Sequence, residues 1–378
     1  MALPPKQWSR MNKKVIHVYK TFFPETKGGG EQVIYFLCKD LAKHNIESKV
    51  LCLTGDKYKS VTKFDGIEVI RYPYTTNFAS CPLSISLLKN FRKEIAWADI
   101  IHYHYPWPFG DLLSLLAPKN KKQIVTYHSD IIKQKILKKF YYPLEQYFLS
   151  KVDKIIATSP NYVSTSENLK KFQYKTEVVT LGINPKLYSK PNAKQCSIIK
   201  NKFGDNFILF IGQLRYYKGL HLLITAMKDI KANLVIIGQG TEELKLKNLC
   251  KQEGIDNVHF LGQLQDEEKV NYLNSCYALA LTSHLRSEAF GIALLEGAMF
   301  AKPLISCRIG TGTEYININN ETGFTVPTES GHIKDAIVAL LKNPDLAKKM
   351  GQNAKKRFDK LFTSEAMAKG VAKIIEGL

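Results

Sequence analysis

One pattern constrains this chain more than any other. Short runs rich in Val and Ile alternate, from one end to the other, with amphipathic stretches of helix length. In the first half the runs are Val15–Tyr19, Lys49–Leu53, Glu68–Tyr72, Asp99–Tyr103, Gln123–His128, Lys154–Thr158 and Glu177–Leu181. In the second half they are Phe207–Gly212, Asn233–Gly238, Val258–Gly262, Tyr277–Thr282, Pro303–Ser306 and Gly323–Val326. Near-continuous apolar strands separated by helices read as parallel sheets covered on both faces. The fold class is therefore α/β, with two doubly wound sheets. A chain of 378 residues is too long for one ordinary core and suits two domains. The boundary belongs near Gly182–Phe203, where a run holding Pro185, Pro191 and several lysines precedes the restart of the strand pattern at Asn206–Gly212. The expected division is a loose leader at 1–12, one domain over 13–185, a second over 186–360, and a segment 361–378 whose helix, roughly Ser364–Glu376, folds back onto the first domain. Ligands in open α/β sheets bind beyond the C-terminal strand ends, so two such sheets create a cleft.

Charge narrows the partners. The net charge is +20, and it is uneven: residues 1–190 hold 30 Lys and Arg against 15 Asp and Glu, residues 191–378 hold 24 against 19. The basic first half implies an anionic partner: nucleic acid, an anionic membrane or a phosphorylated substrate. No nucleic-acid-binding module is present, and the basic residues are scattered along helices rather than set beside stacking aromatics. The seven cysteines are odd in number, scattered, and free of CxxC pairs, which fits buried hydrophobes in a reducing compartment better than disulfides or zinc. No signal-peptide run and no stretch of about 18 apolar residues stands out, so the expectation is a cytoplasmic protein.

Several segments carry candidate chemistry. Gly28-Gly29-Gly30 follows the first strand and opens a helix over Gln32–His44. Its amides suit an anion, although a plain strand–helix turn reads equally well. Arg215 and Lys218, three apart on one side of a turn after the second domain's first strand, suit a diphosphate. Glu288 precedes a helix that starts near Gly291, and Glu296 lies within that otherwise apolar helix. A carboxylate there needs a partner, and ribose hydroxyls would serve. His102, His104 and His128 are placed at strand ends. His128, in Tyr-His-Ser-Asp, is the favoured one to face the cleft, as ligand contact or acid/base. No HxxxH or similar grouping supports a metal site. The stretch Ile131–Leu149 mixes Lys with Ile, Leu, Phe and Tyr. It reads either as a helix that lies on an anionic membrane or grips a phosphate-bearing lipid, or as an ordinary helix with a solvated basic face.

Together these pieces resemble the family 4 retaining glycosyltransferases of the GT-B fold, two Rossmann-like domains facing across a cleft. The resemblance covers nearly the whole chain and rests on E-x7-E from Glu288 to Glu296 in Ser-Glu-Ala-Phe-Gly, on Arg215-x-x-Lys218-Gly219, and on the glycine loop. It implies that Glu296 binds the donor ribose and that Glu288 stands against the donor sugar, with Phe290 and Gly291 offering amides. Arg215 and Lys218 would neutralise the diphosphate, and Gly29 and Gly30 would meet the diphosphate or the acceptor. His128 would sit beside the transferring sugar, and the stretch holding Gly262 and Leu264 would hold the base. It implies transfer with retention, with no cofactor and no bound metal. Leu-Arg-Tyr-Tyr-Lys-Gly and Ile309-Gly-Thr-Gly-Thr313 look like mannosyl- and rhamnosyl-type transferases of bacterial surface polysaccharide. That favours GDP-mannose as donor over a UDP-sugar, and a glycan or lipid-linked acceptor at the cytoplasmic face of the inner membrane. The rivals are a GT-B sugar-nucleotide epimerase, a silent binding scaffold, and a nucleic-acid-binding protein.

Overall fold

The computed structural model describes residues 12–78, 81–131 and 135–378. All of the expected leader but residue 12, and residues 132–134 of the basic segment, lie outside them. The first sheet is built from β1 (Lys13–Val18), β2 (Ile46–Thr54), β3 (Ser60–Phe64) and β4 (Ile67–Pro73). A small hairpin of β5 (Thr76–Phe78) and β6 (Cys81–Leu83) stands apart. The sheet continues with β7 (Ile100–Tyr105), β8 (Lys122–Tyr127), β9 (Lys154–Ala157) and β10 (Thr176–Val178). Its order is β10-β9-β8-β7-β1-β2-β4-β3. Every pairing is parallel except β3 with β4. The second sheet holds β11 (Ile208–Ile211), β12 (Leu234–Ile237), β13 (Val258–Phe260), β14 (Ala278–Leu281), β15 (Leu304–Cys307) and β16 (Gly323–Val326). It is parallel throughout, in the order β13-β12-β11-β14-β15-β16. Counted from its first strand this is 3-2-1-4-5-6, the Rossmann order.

The two sheets are the doubly wound α/β pair that the apolar runs predict, because strands such as Ile208–Ile211 and Ala278–Leu281 are buried along their whole length. The edge strand β3 and the hairpin were not expected. Ser60–Phe64 has no fully buried residue, so its sequence lacks the apolar run by which inner strands are recognised. A second difference concerns the histidines. His102 and His104 were placed at strand ends. Both lie inside β7 and are buried.

In the second sheet the order reverses between β11 and β14, and a doubly wound fold binds its ligand at such a point. Around it the backbone is drawn tight. Gly219 has φ of 67°, and a Cβ there would lie 2.0 Å from the carbonyl oxygen of Thr282. Only glycine lets the loop after β11 come this close to the end of β14. The helix Ser364–Glu376 packs on the first-domain helix Gly29–Leu41. It is pinned by a bridge between Ile183 and Thr363 and by an ion pair of 2.8 Å between Lys43 and Glu365.

Candidate active site

The second domain supplies the charged part of the site. Lys218 closes a short turn, Tyr216–Lys218, and its ammonium pairs with Glu288 Oε2. Ser283 Oγ donates to the same oxygen at 3.0 Å. The two side chains are 13% and 10% exposed, so each charge is compensated mainly by the other. Burial alone would push the Lys218 ammonium down, but the neighbouring Glu288 carboxylate outweighs it and the lysine's pKa is raised. Lys218 therefore stays charged. Arg215 behaves differently. It starts the turn in extended conformation, is exposed, and opens on a recess of about 270 Å³ lined also by Tyr216, His221, Glu242 and Lys245. The two cations expected on one side of a turn thus diverge. Lys218 points to a buried carboxylate and Arg215 to solvent, with the Tyr217 phenol in range of both.

Glu296 sits in the helix Ile292–Met299, which Gly291 starts at φ of 95°. The apolar helix was expected to leave this carboxylate in search of a ligand. The protein instead gives it two partners: the Tyr188 hydroxyl donates to Oε1 at 2.9 Å and the Lys269 ammonium lies 2.9 Å from the same oxygen. Lys269 also pairs with Asp266 at 3.0 Å. Burial lowers the Lys269 pKa, but the two carboxylates raise it further, so it remains charged. Both bonds fall on Oε1 and leave Oε2 outside them. Tyr188 and Lys269 escaped the sequence reading because they lie 108 and 27 residues from Glu296, beyond any local periodicity. Phe290 is buried and packs edge-on to Phe362. Gly262, at φ of 70°, and the half-buried Leu264 follow the edge strand β13, two strands from β11. Gly262 accepts a hydrogen bond from the Gly238 amide at 2.7 Å.

From the first domain, Gly29 and Gly30 begin the helix Gly29–Leu41, capped by Gly28. The loop before it is braced, since Thr21 and Thr26 hydroxyls both donate to Glu31 Oε1, at 2.7 and 2.8 Å. A Cβ on Gly29 would lie 3.9 Å from Ile292 of the second domain. The starts of two helices therefore come close where the two domains meet, and helix-start amides suit anions. His128 follows β8. Its Nε2 lies 3.1 Å from His104 Nδ1, and burial, then the Lys20 charge, push its pKa down to about 4. Just beyond it the domains are tied together. Arg286 Nη2 lies 3.3 Å from Asp130 Oδ2 while its Nη1 donates to the Gly310 carbonyl at 2.8 Å. The Thr165 hydroxyl donates to that carbonyl at 2.7 Å. Thr311, in the run Ile309–Thr313, donates its hydroxyl to the Glu288 carbonyl at 2.8 Å. A larger cavity of about 360 Å³, lined by Phe203, Asn206, Asn233 and Asn257 among others, lies at the opposite strand ends of the second sheet, away from all these groups.

The second domain thus holds a cation–carboxylate pair and a second buried carboxylate, and it meets the first domain at Gly29 and Ile292, at Asp130 and Arg286, and at Thr165 and Gly310. The family described as Glycosyltransferase Family 4 matches residues 27–187, and that described as Glycosyl transferases group 1 matches residues 194–357. The D-rhamnosyltransferase WbpZ of Pseudomonas aeruginosa is 46% identical over 352 residues, covering 93% of this chain and 92% of that protein. The O-antigen chain mannosyltransferase C of Escherichia coli is 42% identical, covering 94% and 95%. Among solved structures, the sucrose-phosphate synthase of Thermosynechococcus elongatus superposes with a TM-score of 0.79 at 20% identity, over 97% of this chain and 98% of that one. The chain belongs to the glycosyltransferases of the GT-B fold.

Proposed function

We propose that this glycosyltransferase moves a hexose, mannose carried by GDP, onto a glycan or lipid-linked acceptor in the assembly of O-antigen lipopolysaccharide. Transfer proceeds with retention and without a bound metal. The observation that carries the reading is the Lys218–Glu288 pair at the point where the second sheet reverses. When the bond from the anomeric carbon to the diphosphate breaks, negative charge grows on the leaving group and positive character on the carbon. An ammonium has three N–H donors, so Lys218 keeps Glu288 in place while presenting the others to the diphosphate. Arg215 swings in from solvent as a second cation. The helix starts at Gly29 and Ile292 add amides. Glu288 faces the donor sugar, Glu296 Oε2 takes a ribose hydroxyl, and the acceptor attacks from the leaving group's side. The cleft excludes water and so protects the donor from hydrolysis. The choice of sugar is supported by the two relatives, whose names give D-rhamnose and mannose, sugars of one ring configuration.

Incubation with GDP-mannose, UDP-glucose and a lipid-linked acceptor tests this. The expected product arises from GDP-mannose alone, keeps the donor's anomeric configuration, and forms at an unchanged rate with chelator present. Product from the UDP-sugar only would overturn the donor, an inverted product the stereochemistry, and chelator inhibition reversed by a divalent ion the metal-free mechanism.

Among the described residues no helix is long and apolar enough to cross a membrane. The helix Lys135–Lys151 does expose Phe140 and Tyr147 beside Lys139 and Lys151. This supports a peripheral contact with anionic lipid, through which the enzyme meets its acceptor at the cytoplasmic face of the inner membrane. Binding to vesicles containing anionic phospholipid is expected to weaken as salt rises from low to physiological concentration. Binding that ignores salt would count against the contact.

A further inference from the structure

His128 is one end of a hydrogen-bonded file of imidazoles. His104 Nδ1 lies 3.1 Å from His128 Nε2, and His104 Nε2 lies 3.1 Å from His17 Nδ1. His17, on β1, and His104, on β7, are 0% and 2% exposed. Burial brings His17 down to about 3, and burial with the surrounding imidazoles holds His104 well below its ordinary value, so the buried rings are neutral. A neutral imidazole has one N–H and one lone pair. Since both nitrogens of His104 are engaged, it donates at one and accepts at the other, and the whole file must run in a single direction.

The inner end decides that direction. His17 Nε2 is sealed from solvent and has no partner. If the file ran outward-in, that nitrogen would be a buried N–H with nothing to bond. If it runs inward-out, the nitrogen is a bare lone pair against neighbouring rings. Orphaned buried donors are the rarer and costlier defect. Hence His17 Nδ1 donates to His104 Nε2, and His104 Nδ1 donates to His128 Nε2. The proton of His128 is then on Nδ1, which has no partner among the described residues and is not sealed from solvent.

We infer that the buried His17–His104 pair fixes His128 in its Nδ1–H tautomer, so that the nitrogen it offers a ligand is a hydrogen-bond donor and not a base. The inference rests on the reading of His128 as a residue beside the transferring sugar. Its consequence there is that His128 can bind a sugar or acceptor oxygen but cannot take the acceptor's proton. That proton leaves with the diphosphate, whose oxygen gains it as the old C–O bond breaks and the new one forms. His104 is a positioning residue, acting through His128.

The buried rings also include His102, and nitrogens of His17, His102 and His104 lie within 4.8 Å of one another. This is a grouping that spacing in the sequence did not reveal. A metal ion is not what the geometry favours. The rings of His102 and His104 stack at 4.5 Å with 23° between their planes, so their lone pairs lie in two nearly parallel planes, and both nitrogens of His104 are already engaged by His17 and His128.

Nitrogen-15 NMR of the histidine-labelled full chain, without substrate, reads the tautomer directly. His128 is assigned by the loss of its signal in His128→Asn. At neutral pH the wild type is expected to show a protonated Nδ1 and a bare Nε2 on His128. His104→Leu, which has no N–H to give, is expected to move the proton to Nε2 and to lower kcat about 10–100-fold with little change in donor KM. His104→Asn, whose amide can stand in for the lost Nδ1–H, is expected to restore both. A protonated Nε2 on wild-type His128 overturns the inference, even should His104→Leu fail to fold. Full turnover in His128→Ala would instead remove His128 from the transfer reading and leave the tautomer result standing.

Discussion

Replacing Lys218 by alanine is expected to lower the rate of sugar transfer by roughly 10²–10³, the cost of losing one preplaced group that meets charge in the transition state. Single-turnover measurements at saturating donor would show it. The same change is expected to weaken the fold. Glu288 is only 10% exposed, and without the ammonium it keeps, among the described residues, just the Ser283 hydroxyl as a side-chain partner. Stranding one member of a buried pair costs about 3–5 kcal/mol, which denaturant titration would detect. The two effects separate in the double variant Lys218→Met with Glu288→Gln. Two neutral side chains of similar size should recover most of the stability and none of the transfer. Wild-type turnover in Lys218→Ala would remove this lysine from the mechanism.

Glu296→Ala is expected to act on donor binding. Losing a carboxylate that accepts from a ribose hydroxyl removes a charge-assisted hydrogen bond of about 1.5–3 kcal/mol, roughly 10–100-fold in donor affinity, read by calorimetry. Among the described residues Lys269 is then left with one carboxylate, that of Asp266, 77% exposed, and the Tyr188 hydroxyl loses its acceptor, so the melting temperature should fall as well. Glu296→Gln separates the roles. The amide oxygen can still accept from Tyr188, so stability should largely return, while donor affinity remains low. Unchanged affinity in both variants would mean that the nucleotide is held elsewhere.

The parallel core was legible because an inner strand such as Leu234–Ile237 needs apolar residues on both faces, and that leaves an unbroken run in the sequence. The turn Arg215–Gly219 and Glu296 in its apolar helix were legible too, because each is a local pattern in the sequence. Other features have no local cause. His102 and His104 were set at strand ends because a polar residue inside an apolar strand reads as its terminus. In the fold they reach His17 on the neighbouring strand, a neighbour only the sheet order supplies. The partners of Glu296 come from the helix Asp266–Ser275 and from the chain passing between the domains. The ties from Arg286 to Asp130 and Gly310 join segments far apart in sequence. Local pattern carries the strands and the loops that end them. Which side chains then meet across those loops is decided by packing.

The helix Ser364–Glu376 has an outcome for how the molecule is made. Met367, Ala368, Val371 and Ile375 are buried, and the helix lies on the one that opens with the glycine loop. The ribosome completes the whole second sheet before it reaches these residues. Until then the early half waits with a greasy flank uncovered, exposed to wrong partners as such surfaces are. The two halves are not interchangeable modules that could be severed at their connection and produced apart, since each would be missing something the other end of the polypeptide provides.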